Sequence, residues 1–276
     1  MPARINHNPH LNQVHRNLTL HYAEAAKHIE HLSSGSRIDR ASDDPASLYM
    51  ADAFRAEVRA VAEGNRNAQQ GIVLLQMADG ALGQLTEIVQ RMQTLAVQAA
   101  NGLFTDEQRG SLDVEFEGLK SEMNRIATAI TYNNTPLLEG AREFAIEIGP
   151  SIASGNDVVQ FNLNDMSAQG AHLNIGSLTI DTIKNARESL AQLQRVEKQV
   201  EEERNKVAAL HNRLEMNSTT SASILEKLSE AESNVRDVDV ARAMADLTRS
   251  QILSQAAASL AVESDTDIDQ VLALLR

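Results

Sequence analysis

The chain is predicted to be mainly α, built from long helices paired as coiled coils, with one short β-hairpin. Three features predict this class. Apolar residues recur at alternating steps of three and four over long stretches. Aromatic residues make up only 3% of the chain and Trp is absent, so bulky core fillers are scarce. Thin helical layers pack well from Ala and aliphatic side chains, whereas broad compact cores depend on aromatics. Finally, one stretch near the middle changes to β-branched and aromatic residues bounded by turn signals.

The first heptad run is Leu75, Ala78, Leu82, Leu85, Val89, Met92, Ala96 and Ala99. A second is Leu112, Phe116, Leu119, Met123, Ile126 and Ile130, and a third runs Val207, Leu210, Leu214, Asn217, Ser221, Ile224, Leu228, Ala231 and Val235. Such spacing places the side chains in one seam that needs burial against other helices. An ordinary helical bundle fits the spacing equally well. The length of the third run and its lack of Gly and Pro favour long coiled-coil rods. Asn217 and Ser221 are polar seam positions of the kind that weaken a seam and fix its register.

Boundaries follow from capping chemistry. Asp44 before Pro45 reads as an N-cap followed by proline in the first turn. Asn101-Gly102 tolerates the left-handed conformation that ends helices, and Thr105-Asp-Glu-Gln108 has the form of a capping box. Residues 72–100 and 106–131 are therefore expected as an antiparallel helical hairpin. Phe144–Ile148 and Val158–Leu163 read as paired strands, with Gly149-Pro150 and Ser154–Asp157 as turn signals between them. Residues 164–174 read as an irregular return to helix.

The two ends carry weaker stripes. Leu11, Val14, Leu18, Ala25 and Leu32 share one helical face, and Val240, Met244, Leu247, Ala258 and Ala261 another. Neither is rich enough for a stable lone helix, so each end needs the other, or a neighbouring copy, to fold.

Composition excludes several roles. A net charge of −13 opposes binding to nucleic acid, whose phosphates would be repelled. No apolar run approaches the ~20 residues of a membrane span, and no secretory signal pattern is present. Without cysteine there is neither a disulfide nor a thiolate metal site. His28 and His31 lie one turn apart but have no third ligand, so metal binding is not expected. Six of the eight histidines lie at 7, 10, 15, 21, 28 and 31, and pairing of the ends would bring them near Glu263, Asp265, Asp267 and Asp269. Asp43-Asp44 is better explained by capping, and Asp237-Val-Asp239 by the favourable field at a helix start, than by acid–base catalysis. No enzyme, cofactor or metal is expected.

Several separated motifs together resemble bacterial flagellin. They are Leu32-Ser-Ser-Gly-Ser-Arg-Ile38, Ala41-Ser-Asp-Asp-Pro-Ala46, Gln90–Asn101, Val235-Arg-Asp-Val-Asp-Val-Ala241, Gln251-Ile-Leu-Ser-Gln-Ala256 and Val271-Leu-Ala-Leu-Leu275. The resemblance covers residues 5–140 and 180–276, in family order. It implies a structural subunit that self-assembles into the flagellar filament for motility, with a hook-associated junction protein as the alternative. It further implies a terminal coiled-coil domain from residues 1–43 and 236–276 at the filament core, and a helical rod from 44–235. The hairpin region, about 141–175, is too short for an outer variable domain.

The same resemblance implies terminal assembly residues Leu11, Val14, Leu18, Leu32, Val240, Met244 and Leu247. The heptad runs place core seams through Leu75, Leu82, Val89, Met92, Leu119, Met123, Leu214 and Leu228. Arg91, Leu95 and Glu115 match a rod surface used in assembly and read by host Toll-like receptor 5. Implied partners are further copies of the chain, an export chaperone on the C-terminal segment, hook-junction and cap proteins, and sheath proteins. Neither nucleic acid nor membrane insertion is implied. Export would run through the type III flagellar apparatus to a secreted filament. The opening Ile5-Asn-His-Asn8 and the turn Asn101–Arg109 look like spirochaete core flagellins, which would place the filament in the periplasm. Two departures are Pro45, where Ala is usual, and the acidic stretch Glu263–Asp269, where a Pro-Gln pair is common.

Overall fold

The computed structural model describes residues 9–149 and 157–274, with backbone alone for 264–274. Among them lie five helices and four strands. These are α1 (Pro9–Ser34), α2 (Pro45–Ala99), α3 (Asp106–Ala129), β1 (Thr131–Tyr132), β2 (Thr135–Pro136), β3 (Arg142–Glu147), β4 (Val158–Leu163), α4 (Ile183–Arg236) and α5 (Val240–Leu274). The chain forms two compact units, residues 1–56 with 227–276 and residues 57–226, and it passes between them within α2 and α4.

In the 57–226 unit, α2 and α4 run antiparallel. Asp79 meets Arg204 at 3.1 Å, Gln93 donates to Glu197 at 2.9 Å, and the Ser218 hydroxyl donates to Asn65 Oδ1 at 2.7 Å. The expected seam of α2 is buried at every position from Leu75 to Ala99. Phe116, Met123 and Ile126 of α3 join the same core, with Leu119 packed half-buried against it. The α4 seam begins earlier than its apolar spacing suggests, with Ala186, Ser189, Leu193, Val196, Val200 and Glu203 already buried. Ser and Glu at seam positions hid this start. The seam also fades sooner: Leu214 and Ser221 are buried, but Ile224 is 43% exposed. Leu228, beyond the unit boundary, is half-buried.

The helix starts behave as the capping chemistry requires. Asp44 Oδ1 accepts from the Ala46 and Ser47 amides, both at 3.1 Å, and Oδ2 from the Ser47 hydroxyl at 2.6 Å. The Ser47 hydroxyl, more than any other group, holds the Asp44 carboxyl below its ordinary pKa. Thr105 and Gln108 form the reciprocal capping box of α3. The end of α2 differs from expectation. Neither Asn101 nor Gly102 has positive φ. Instead the Leu103 amide donates to Asn101 Oδ1 at 3.1 Å, so a side-chain turn closes the helix.

Strands β3 and β4 pair antiparallel, with Phe144 opposite Phe161 and the rings stacked 5.4 Å apart. The turn expected between them falls mostly outside the described residues. Gly64 and Gly71 of α2 let this hairpin approach. A methyl group at Gly64 would overlap the Ile148 carbonyl, and one at Gly71 would overlap the Ile146 and Leu214 side chains. A second, smaller hairpin, β1–β2, was not expected. Its two turn residues, Asn133 and Asn134, have φ of 47° and 63°, as a two-residue hairpin loop demands.

Residues 164–182 lack regular structure, so their backbone groups need partners from elsewhere. Helix side chains supply them. Buried Glu203 accepts from the Asn164 amide at 3.1 Å and from its side chain at 2.7 Å, with Lys206 also at 3.1 Å. Lys120 donates to the Gly176 and Leu178 carbonyls at 3.0 and 2.7 Å. Asn124 and Asp113 accept from the Ala168 and Ile180 amides at 2.8 and 2.7 Å.

One stretch within α2 reaches a mean hydropathy of 1.3, enough by length and composition for a membrane span, although no such run was expected. Its seam residues line the core described above, which accounts for part of that apolarity.

Gly71→Ala should lower the thermal midpoint of the protein, although Ala favours a helix interior by about 1 kcal/mol. Overlap with Ile146 and Leu214 opposes that gain, and a raised midpoint in circular dichroism melts would contradict the close approach. Because the folded pKa of Asp44 is depressed, its cap is fully effective above the ordinary carboxylate range and is lost as pH falls through the depressed value. Asp44→Asn keeps an acceptor and removes the titration. Hydrogen-exchange protection at Ala46 and Ser47 should fall on acidification in the native chain and stay flat in this variant.

Candidate assembly surfaces

The unit containing both chain ends is organised by α1 and α5. A short antiparallel bridge, Ser36 with Asp237, ties the end of α1 to the start of α5. Around it, the Arg37 amide donates to Arg236 O at 2.7 Å and the Val238 amide to Gly35 O at 3.0 Å. Gly35 has φ of +73°, which a side chain would strain. The connection 35–44 also folds back on α1, with Lys27 at 2.9 Å and His31 at 3.9 Å from Asp43. The Lys27 hydrogen bond holds the Asp43 carboxyl below its usual range.

From the bridge, α1 and α5 run antiparallel and pack against each other. Most of the α5 seam is small. The α5 face toward α1 is Ala243, Leu247, Ser250, Ser254, Ala257 and Ala261, all buried or half-buried at alternating steps of four and three. Facing it on α1 are Leu11, Val14, Leu18, His21, Ala25, His28 and Leu32. The α1 positions and Leu247 thus fall in the seam expected for them.

Val240 and Met244 do not. They are 59% and 49% exposed, because smaller residues occupy the seam and turn them outward. The outward face of α5 also carries Ile252, Leu253, Leu260 and Val262, and α1 exposes Leu20, Tyr22 and Ile29. Tyr49, at the start of α2, is 78% exposed. Spacing alone did not single out these outward residues. The available signal was paired bulky residues off the seam, as in Ile252-Leu253. Isolated apolar residues are normal on a surface, but continuous apolar faces mark interaction sites.

The other unit exposes a different patch. Arg91 Nη2 lies 2.6 Å from Glu115, and both side chains are about half exposed. Exposed pairs of this kind contribute little to stability, so both remain available to a partner. Val97, Leu103 and Val114 are exposed near the same turn between α2 and α3. Leu95, expected on this surface, is 1% exposed and belongs to the core beside Met92 and Ala96. One turn on from Arg91, it lies at the edge of the buried stripe, where core packing covers it.

Among the described residues, no group of three or more His, Asp or Glu could hold a metal ion. His21 lies 3.2 Å from Glu24 within α1. The carboxylates expected to meet the histidines, Asp265, Asp267 and Asp269, lie outside the described side chains. What these surfaces offer is apolar contact and salt-bridge pairing.

Two family models match, the bacterial flagellin N-terminal helical region over residues 5–143 and the bacterial flagellin C-terminal helical region over residues 190–275. The chain is 34% identical to a flagellin of Halalkalibacterium halodurans over 273 residues, covering 99% of both chains. It is 32% identical to the flagellar filament 33 kDa core protein of Treponema phagedenis, again covering 99% of both. A solved flagellar hook-associated protein from Vibrio parahaemolyticus is 15% identical with a TM-score of 0.56, covering 71% of this chain and 100% of that one, and shares the fold. Full-length likeness to filament proteins does not favour the junction-protein alternative. The chain belongs to the bacterial flagellin family and is a structural subunit of the flagellar filament.

Proposed function

We propose that the chain polymerises through the outward faces of α1 and α5, with the α1–α5 pair as the filament core domain. The observation that carries this reading is the sidedness of α5. Its seam is built mostly from small residues, with Leu247 the large exception, while Val240, Met244, Ile252, Leu253, Leu260 and Val262 face out. Burying a Leu or Ile side chain stabilises by about 1.5–3 kcal/mol. A helix that leaves Ile252, Leu253, Leu260 and Val262 in water therefore gains most when another copy covers them. In this reading residues 1–43 and 236–276 form the core domain and 44–235 the helical rod. Arg91 and Glu115 contribute to subunit contacts and to recognition by Toll-like receptor 5.

During export the same outward face needs cover, and a chaperone on the C-terminal segment supplies it. Hook-junction, cap and sheath proteins are the remaining partners of the filament. The mature location is the filament beyond the cytoplasm, secreted to the exterior or, in a spirochaete, in the periplasm. No catalytic role accompanies assembly.

Deleting residues 1–32 or 244–276 should give a soluble monomer that keeps the helices of the 57–226 unit. Ile252→Asp with Leu253→Asp should block seeded polymerisation while leaving those helices intact, because a buried unpaired charge costs several kcal/mol. Filaments from either truncation or from the double variant, seen by negative-stain microscopy, would contradict the proposal. In a complex with the export chaperone, hydrogen exchange should slow across 244–261 and remain fast across the acidic stretch 263–269. Equal protection of the two stretches would rule out that mode of binding.

A further inference from the structure

The turn between α2 and α3 contains the sequence Ala100-Asn101-Gly102-Leu103, and its hydrogen bonding leaves one amide uncommitted. The Asn101 amide donates to Gln98 O at 3.2 Å and the Phe104 amide to Asn101 O at 3.4 Å. The Leu103 amide donates to the Asn101 side-chain oxygen at 3.1 Å. Among the described residues, the Gly102 N–H donates to no acceptor of the chain. Asn101 and Gly102 are both exposed, and Leu103 is 88% exposed, so water reaches the whole turn.

We infer that Asn101 is a site of spontaneous deamidation, converted through a cyclic imide to aspartate and isoaspartate. The bond from the Leu103 amide folds the Asn101 side chain back over the Gly102 peptide. It also draws electron density from the side-chain carbonyl and makes Cγ a better electrophile. The Gly102 nitrogen gives up its proton to solvent hydroxide and attacks Cγ. Negative charge develops on Oδ1, where the Leu103 N–H already donates, as a backbone amide stabilises an oxyanion elsewhere. The Cγ–Nδ2 bond then breaks and ammonia leaves with a proton from water. The resulting five-membered ring contains the Gly102 nitrogen, and water opens it at either carbonyl. No oxidation or reduction occurs.

Gly102 is what allows this closure. Without a Cβ it reaches ring-closing dihedrals that other residues avoid. Asn133 provides an internal comparison. It is followed by Asn134, whose side chain crowds the attacking nitrogen, and both are fixed in the β1–β2 turn. Either product at position 101 adds a carboxylate to a turn that already holds Asp106 and Glu107. Isoaspartate also adds a methylene to the backbone just before the Thr105 capping box. The change lies on the surface that exposes Val97 and Val114, so it alters the charge of a candidate contact region.

The test is peptide mapping, with aspartate and isoaspartate resolved, of the full chain held in mildly alkaline buffer. Asn101 should convert before Asn133, with both products present. Gly102→Ala should slow conversion about tenfold or more. A Cβ at position 102 would meet no atom within 4 Å, so this variant should keep its helical content. The folded chain should convert within about tenfold of the rate in denaturant, since the turn is exposed and its Gly102 N–H is held by no acceptor among the described residues. Conversion at Asn133 as fast as at Asn101 would overturn the inference. So would a Gly102→Ala rate equal to that of the native chain, or a folded chain more than about tenfold slower than the denatured one.

Discussion

The packing of α5 against α1 through mostly small residues is the constraint on which the subunit's function rests. On the α5 side of this seam most positions carry small residues, and the apolar bulk comes from Leu11, Val14, Leu18 and Leu32 of α1. Ala243, Ser250, Ser254 and Ala257 are buried there. The consequence is that much of the apolar bulk described on α5 lies outside the seam, unlike an ordinary amphipathic helix. Bulk that would normally fill the core instead projects from α5 as Val240, Met244, Ile252, Leu253 and Leu260. A helix pair whose seam is small on one side and only half-buried over much of the other is weak alone. Its own packing and its outward surface therefore call for the same thing, a neighbouring copy.

The 57–226 unit follows a different principle. Its α2 seam is continuous, and α3, α4 and both hairpins close over it. Where the chain loses regular structure between β4 and α4, charged side chains take over the work of a sheet. Glu203 and Lys120 are almost fully buried, yet each has several backbone or side-chain partners. A buried charge with full hydrogen bonding is tolerable, and one left bare is not. Losing either partner set would expose a 19-residue irregular stretch, 164–182, to competition from water.

Much of this was legible in the chain itself. Heptad spacing located the α2 and α3 seams, and capping chemistry located the starts at Asp44 and Thr105. Alternation and turn residues located the β3–β4 hairpin. Other features were hidden for physical reasons. The early α4 seam runs through Ser189 and Glu203, whose polarity conceals their burial. The β1–β2 hairpin is too short for a strand pattern and shows only as Asn133-Asn134. On α5, a reading that looks for large apolar residues in the seam selects Val240 and Met244, whereas the buried positions are mostly Ala and Ser. Leu95 was placed by motif on a surface, whereas its helix position buries it beside Met92.

The central claim is that the large residues of α5 are covered by another copy in the filament. The chain has no cysteine, so single replacements can be labelled without background. The direct measurement is the thiol-labelling rate of Ile252→Cys, Leu253→Cys and Leu260→Cys, each in free subunits and in polymerised filaments. The account predicts fast labelling in the free subunit and strong protection at all three positions in the filament. Labelling in the filament as fast as in the free subunit would contradict it.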